Sequence, residues 1–552
     1  MLLHVHSHVG DRFLSGDAHD LRERERCRRG NQHGHSGAEC DPDEKVAALL
    51  GEDFVDDVFG AGGKYEARES VDDHQAESDA ERLPVPPDQL ACFLPRALVI
   101  DFILGLVGHR LTIQETPILT LMKRIVIFAA LLIAARVGAQ TLSPAEQKMR
   151  GWIQAHKQEE IDYLAKVVNI NSGTFNLAGV RAVGDEFARE FKALGFETRW
   201  IPMPAEMKRA GHLFAEHKPR RRARGKTVLL IGHLDTVFEG EGQKWSIVDD
   251  STAKGAGSSD MKGGNVVILY ALKAMKAAGV LDDTHIIVAF TGDEENGGDP
   301  DSVSRRDLVE AAKRSQAILA FEGDAGKATV ARRGSSSWVL SVTGRQAHSG
   351  GVFSTGSGYG AIYELARILN EFRETLSGQQ YLTFNPGVIV GGADVKYDSS
   401  AISGTAAGKL NIIAPSAYAH GDLRFISPAQ LDSARAVMRA IVAKHLPQTS
   451  AVISFHDGLP SMQPTPGNYR LLSVLDSVTV ALGQGHTEAL DPGLRGGGDI
   501  SYVAQYADAL DGLGVGGSRS HTPDETVDLL SIPRSTERAA VLINRIAHQR
   551  RR

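Results

Sequence analysis

The feature that most constrains this chain is a repeated strand ending, in which a short apolar run stops in a histidine or in acids. Val228-Leu229-Leu230-Ile231 runs into Gly232-His233-Leu234-Asp235-Thr236, and Ile286 to Phe290 runs into Thr291-Gly292-Asp293-Glu294-Glu295. Ala317 to Phe321 runs into Glu322-Gly323-Asp324. Apolar runs of this length, bounded by glycine and polar residues, predict buried strands. In open α/β sheets, ligands collect outside the carboxyl ends of the strands. One such ending is an ordinary polar boundary. Its repetition predicts a single crevice lined by imidazole and carboxylate groups. Alternation places His233 and Asp235 on the same side of an extended backbone, so the carboxylate can orient the ring. Three acids in a row at Asp293 to Glu295 repel one another unless cations balance them.

Two further segments add to this set. Small residues from Gly255 to Ser259 lead into Asp260-Met261-Lys262-Gly263-Gly264, followed by a predicted helix over Asn265–Ala278. Asp260 is either a simple helix cap or another ligand. Far along the chain, the glycine-rich stretch from Leu510 to Glu525 presents His521. All three cysteines (Cys27, Cys40, Cys92) fall in the first hundred residues, so a metal site in the remainder must use His, Asp and Glu. Nitrogen and oxygen donors without thiols suit Zn²⁺ first, with Co²⁺ or Mn²⁺ as alternatives. Two divalent ions sharing a carboxylate polarise a carbonyl and acidify water, and one further carboxylate must stay unligated to move the proton.

The organisation of the chain follows from its patterning. Ser143-Pro144-Ala145-Glu146 predicts a capped helix start, and Val180–Leu194 a second amphipathic helix closed by Gly195. From Ser335 the pattern changes to half-exposed strands and helices, including a helix over Gly360–Leu376, and after Asn468 it returns to longer α/β units. The predicted fold is α/β: a mixed central sheet flanked by helices, over 140–334 and 457–552, interrupted by a smaller α+β domain over 335–456. Met122-Lys123-Arg124, the apolar run Ile125 to Ala135 and the small residues before Gln140 predict a signal peptide over 122–139. On that reading Met122 is the natural start, residues 1–121 are an extension foreign to the enzyme, and the product is periplasmic or secreted. The net charge of −7, with one dense basic cluster at Arg220 to Arg224, argues against a nucleic-acid partner.

His-x-Asp-Thr at 233–236, Asp260-x-Lys-Gly-Gly, Asp-Glu-Glu-x-Gly at 293–297 and the distal glycine-rich loop with His521 stand in the order seen in one family. They resemble the co-catalytic metallopeptidases of clan MH, which include glutamate carboxypeptidase, aminoacylase, acetylornithine deacetylase and succinyl-diaminopimelate desuccinylase. The resemblance covers most of residues 143–548. It implies that His233, Asp260 and Glu322 bind one metal and that Asp260, Glu295 and His521 bind the other. Glu294 would then be the general base and acid, and Asp235 the orienter of His233. It also implies that the Asp260–Met261 peptide is cis. The inserted domain becomes a lid or dimerisation domain, and a homodimer through it is implied. Ala347-His348-Ser349-Gly350 matches a motif whose histidine reaches a substrate carbonyl, often across the dimer. Asn411 and Arg424 match positions linked to a substrate carboxylate. Glu322-Gly323-Asp324 departs from the Glu-Pro-Thr of many relatives and leaves Asp324 as a rival to Glu322. Gly496-Gly497-Gly498-Asp499 resembles glutamate carboxypeptidase more than the desuccinylases. The implied activity is hydrolysis of a peptide or N-acyl bond beside a free C-terminal carboxylate. Two alternatives are an N-acyl-amino-acid deacylase of the same family and a non-catalytic metal-binding scaffold.

Overall fold

The computed structural model describes residues 141–219, 225–240 and 244–551. The predicted signal peptide at 122–139, the stretch 1–121 and the Arg220–Arg224 cluster lie outside the described residues. Strands in chain order are β1 Glu197–Ile201, β2 His212–His217, β3 Thr227–His233, β4 Ser246–Ile247, β5 Thr252–Lys254, β6 His285–Thr291, β7 Ala317–Ala320 and β8 Gly334–Gly344. They continue as β9 Thr383–Gly392, β10 Asp394–Asp398, β11 Ser403–Ala407, β12 Ser416–Phe425, β13 Thr449–Asp457, β14 Asp508–Leu510, β15 Gly517–Ser518 and β16 Thr526–Asp528.

A six-stranded sheet runs in the order β1-β2-β6-β3-β7-β14. β3 pairs in parallel with both β6 and β7, and β14 extends the parallel part, while β1 and β2 are antiparallel additions. The sheet is therefore mixed, as the sequence predicts. β2 had no separate signal, because its two histidines, His212 and His217, interrupt the apolar pattern yet are buried.

Every residue of β3 is buried because both faces of the sheet are covered. Val228 and Leu230 belong to a large apolar cluster with helices Pro144–Val168, Leu177–Ala193, Gly263–Ala278, Pro466–Leu482 and Ser531–Ala547. Leu229 and Ile231, on the opposite face, pack in a second cluster with Leu308, Ala311 and Ile500. A continuous apolar run is what a strand needs when each face has its own core.

The first helix begins as its sequence dictates. Ser143 accepts from Glu146 N, Glu146 returns a bond to Ser143 N, and Pro144 takes the first helical position. Residues Gly334–Asp457 carry their own four-stranded antiparallel sheet, β13-β8-β12-β9, with helices Gly360–Leu376 and Pro428–Val442 and a separate core around Trp338 and Phe372. The hairpin β10–β11 is largely exposed, with Val395 and Tyr397 its partly buried side chains and β11 exposed throughout. No helix among the described residues is long and apolar enough to cross a membrane.

One buried acid lies away from any site. Glu160 is fully buried, accepts from the Thr536 hydroxyl and leaves Oε2 without a partner. Burial pushes its carboxyl up from 4.5 to about 8, with nearby Glu537 adding to the effect and Thr536 and Lys273 opposing it. The folded chain holds this proton after an unfolded chain has lost it, so stability falls as pH rises from 4.5 to about 8 and then levels off. Glu160→Gln should therefore raise the melting temperature at pH 8, by on the order of 5 °C, and give no comparable gain at pH 4.5. Thermal melts of both proteins at the two pH values check this.

Candidate metal centre

Strand register brings the predicted ligands to one edge. His233 on β3 is paired with Thr291 on β6, and Ile231 with Ala320 on β7, so His233, the Glu294–Glu295 turn and Glu322 all emerge at the same carboxyl end. Asp260 reaches this edge from the loop ahead of helix Gly263–Ala278. Gly257 takes the left-handed conformation there (φ 71°), and Gly264 lies so close to the Phe321 carbonyl that a side chain would collide with it. The alternative reading of Asp260 as a helix cap fails. The helix has no side-chain cap, and the Asp260 carboxylate faces two imidazoles instead. The Asp260–Met261 peptide is cis.

The distances define two overlapping triads. His233 Nε2 lies 3.4 Å from Asp260 Oδ1 and 3.7 Å from Glu322 Oε1. His521 Nε2 lies 3.2 Å from Asp260 Oδ2 and 3.1 Å from Glu295 Oε2. The donor atoms within each triad are close enough to hold one ion, and Asp260 is common to both. A third grouping, His233 with Glu294 and Glu295, is also within reach of one ion. It competes for the same His233 Nε2, whereas the first two share only Asp260 and leave Glu294 over.

The donor set fits divalent cations on two observations. His233 Nδ1 donates to the Asp235 carbonyl at 3.0 Å, while Nε2 is buried with no hydrogen-bond partner. The electrostatics agree. Burial lifts the Glu322 carboxyl to about 7 and Glu295 to about 8, with Asp260 adding to both shifts and His233 opposing them. Burial and the charges of Glu322, Asp499 and Glu295 hold Glu294 well above the usual carboxylate range. The hydrogen bond to Asp260 lifts His521 to about 9, and the neighbouring Asp235 and Asp260 carboxylates raise His233 against the effect of burial. Those two imidazoles in turn hold Asp260 below its ordinary range despite its burial. Without cations, the cluster offsets its carboxylates with extra protons.

Asp235 does more than its spacing predicts. Its carboxylate lies 3.5 Å from His233 Nδ1, on the predicted side, and its main-chain carbonyl accepts from the same nitrogen at 3.0 Å. The carboxylate accepts from Thr174 Oγ1 (2.7 Å), Glu294 N (3.0 Å) and Glu295 N (3.1 Å). It pins the turn that carries two site residues. The acidic run also divides. Asp293 points inward to Arg305 Nη1 (2.5 Å), which with His212 keeps it ionised against burial, and Arg305 also pairs with Asp499. Only Glu294 and Glu295 face the crevice. Thr174 and Arg305 carried no motif that marked them as supports; Thr174 meets Asp235 across 61 residues, and Arg305 joins Asp293 to the distant Asp499.

The rival to Glu322 is also resolved in space. Asp324 pairs with Arg538 Nη2 at 2.7 Å and accepts from Gly326 N, and it belongs to none of the groupings that could hold an ion among the described residues. The remaining predicted residues lie on the second body. His348 is exposed, with Nδ1 accepting from Gly350 N, and it bridges to Ile412 beside Asn411, whose carbonyl accepts from Ser349 N. Arg424 on β12 pairs with Asp422 at 2.7 Å. None of the three makes a hydrogen bond or ion pair with the cluster within the described residues.

Comparison with known proteins agrees with this geometry. The chain is 30% identical to carboxypeptidase G2 of Pseudomonas sp. (strain RS-16) over 431 residues, covering 75% of this chain and 96% of that one. It is 28% identical to a succinyl-diaminopimelate desuccinylase of Acidiphilium cryptum (strain JF-5) over 377 residues, 65% of this chain and 91% of the relative. Among solved structures, the fold matches the Bacillus subtilis YXEP protein, described as a dinuclear metal binding peptidase, with a TM-score of 0.50 at 15% identity, covering 71% of this chain and 99% of that one. Residues 229–545, which span the whole cluster from His233 to His521, match Peptidase family M20/M25/M40. The chain belongs to that family and is a metal-dependent hydrolase of the peptidase and amidohydrolase type.

Proposed function

We propose that this hydrolase is an exopeptidase of the carboxypeptidase type, cleaving a peptide or N-acyl amide bond next to a free C-terminal carboxylate. The observation that carries the reading is the pair of triads sharing Asp260 with Glu294 left over. His233, Asp260 and Glu322 would hold one ion, and Asp260, Glu295 and His521 the other; Zn²⁺ is the first choice for these donors. Bound there, divalent ions supply Lewis acidity toward the scissile carbonyl and toward the attacking water.

The chain's own residues do the rest. Glu294 takes the proton from the attacking water and returns it to the departing nitrogen, a role that requires a carboxylate above its ordinary pKa and free of ligation. Asp235 and Thr174 hold the Glu294 backbone so that the carboxylate stays in register with the crevice. His348 would donate to the developing oxyanion, and Asn411 and Arg424 would receive the substrate carboxylate. They would act there on closure of the inserted Gly334–Asp457 domain or from a second copy of the chain. A homodimer through this body is supported by β9, an edge strand with Ile389 59% exposed. Export rests on the segment 122–139.

The likeness to carboxypeptidase G2 over nearly its whole length favours the carboxypeptidase reading, and the likeness to the desuccinylase keeps N-acyl-amino-acid deacylation as the second reading. A panel of dipeptides, N-acyl amino acids and their C-terminal amides separates them. The proposal expects kcat/KM on free acids to exceed that on the matching amides by about 100-fold or more, as loss of an arginine–carboxylate pair would cause. Equal rates on acids and amides would overturn it, and activity confined to N-acyl amino acids would favour the deacylase. A protein that binds metal but turns over no member of the panel would be the scaffold.

A further inference from the structure

Glu525 stands outside every ligand set, yet its carboxylate is fully buried four residues after His521. It is not idle there. Oε1 accepts from Ser259 N (2.8 Å), Ser259 Oγ (3.0 Å) and Asp260 N (3.0 Å), and Oε2 accepts from Gly257 N (2.8 Å). Three main-chain N–H groups of one short loop converge on this carboxylate, with Gly257 in the left-handed conformation, and form an anion-binding concavity. The chain fills that concavity with its own carboxylate.

The consequence is geometric. Glu525 holds the Gly257–Asp260 loop at both ends, and the last residue of that loop presents the Asp260 carboxylate common to both triads. The loop that carries Glu525 also carries His521, which is half exposed and, like Arg519, holds a left-handed backbone (φ 63° and 59°). Such strain persists only where surrounding contacts enforce it. Beyond Glu525, β16 pairs with β5, which keeps the two loops in register, and Lys254 adds an ion pair to Asp524 at 2.6 Å.

We propose that Glu525 is a positioning residue that sets the Asp260 backbone and thereby couples the two ion sites. The proposal rests on the two-ion reading of the cluster. A substitution at His521 removes a donor from one triad only, whereas a substitution at Glu525 displaces the residue both triads share. Loss of a partner that orients a metal ligand costs about 10- to 100-fold in affinity, and here the loss falls on both ions.

The test titrates Co²⁺ into metal-free protein, followed by calorimetry and by visible absorption, for the wild type, His521→Ala, Glu525→Gln and Glu525→Ala. The wild type should take up two equivalents. His521→Ala should weaken one, and Glu525→Ala should weaken both by about 10- to 100-fold. Glu525→Gln should fall between, since the amide keeps one acceptor oxygen but turns an N–H₂ toward a main-chain N–H. Amide exchange in the metal-free proteins supplies a second readout should Glu525→Ala fail to fold. Glu525→Gln should speed exchange at Gly257, Ser259 and Asp260 while leaving β3 unchanged. Wild-type affinity for both ions in the Glu525 variants, or weakening of one ion alone, would overturn the proposal. A wild type that binds fewer than two equivalents would instead overturn the two-ion reading on which it rests.

Discussion

Glu294→Gln is expected to lower kcat by about 10²- to 10⁴-fold, the usual contribution of a positioned proton carrier, while metal content stays at the wild-type level. The substitution keeps the size and the backbone hydrogen bond from Glu294 N to Asp235 but removes the group that shuttles the proton. It has a second effect of opposite sign. Burial and the charges of Glu322, Asp499 and Glu295 resist ionisation of Glu294, so above the ordinary carboxylate range the folded metal-free wild type must hold a proton there that the neutral amide does not need. The metal-free variant should therefore melt higher than the metal-free wild type. An active site that loses rate and gains stability on the same substitution is one where function holds an unfavourable charge in place. Unchanged kcat would remove Glu294 from the mechanism. A loss of bound metal equal to that of a ligand substitution would make it a ligand instead.

Asp235→Ala should be the most destabilising change at the centre. It strands the Thr174 hydroxyl and the main-chain N–H groups of Glu294 and Glu295 in a fully buried place, at about 1–3 kcal/mol for each unsatisfied group. The melting temperature should fall by several degrees and activity should fall with it. Asp235→Asn gives the sharper answer, because it keeps one acceptor oxygen and most of the fold. If the carboxylate acts by pinning the Glu294–Glu295 turn, the Asn variant loosens the ion at Asp260, Glu295 and His521 and lowers kcat. Were it acting by orienting the imidazole, the ion at His233, Asp260 and Glu322 would loosen instead. Calorimetric titration of the two sites distinguishes these outcomes.

The fold and the ligands were legible for one physical reason and the supports were illegible for another. A strand buried on both faces must be apolar throughout, so the residue that ends Val228–Ile231 stands out at once, as do those that end Ile286–Phe290 and Ala317–Phe321. The parallel pairing of β3 with β6 and β7 then gathers those endings without further instruction. The supports act between segments far apart in sequence. Thr174 meets Asp235 across 61 residues, and Ser259 meets Glu525 across 266, contacts that exist only once the chain has folded. Spacing put the Asp235 carboxylate beside His233 but gave no sign that it also holds the Glu294–Glu295 turn, since alternation tells which side a group faces but not every partner it finds there. Asp293 shows the same limit. It reads as one of three equivalent acids, and the buried Arg305 that separates it from Glu294 and Glu295 lies on a helix start with no motif of its own.

The most direct measurement is anomalous X-ray diffraction from crystals of the Zn²⁺-loaded protein. The account predicts two peaks. One should lie about 2.0–2.2 Å from donor atoms of His233, Asp260 and Glu322, and the other at the same distances from Asp260, Glu295 and His521. Glu294 should touch neither ion directly. A single peak, or an ion ligated by Glu294 or by Asp324 in place of Glu322, would contradict it.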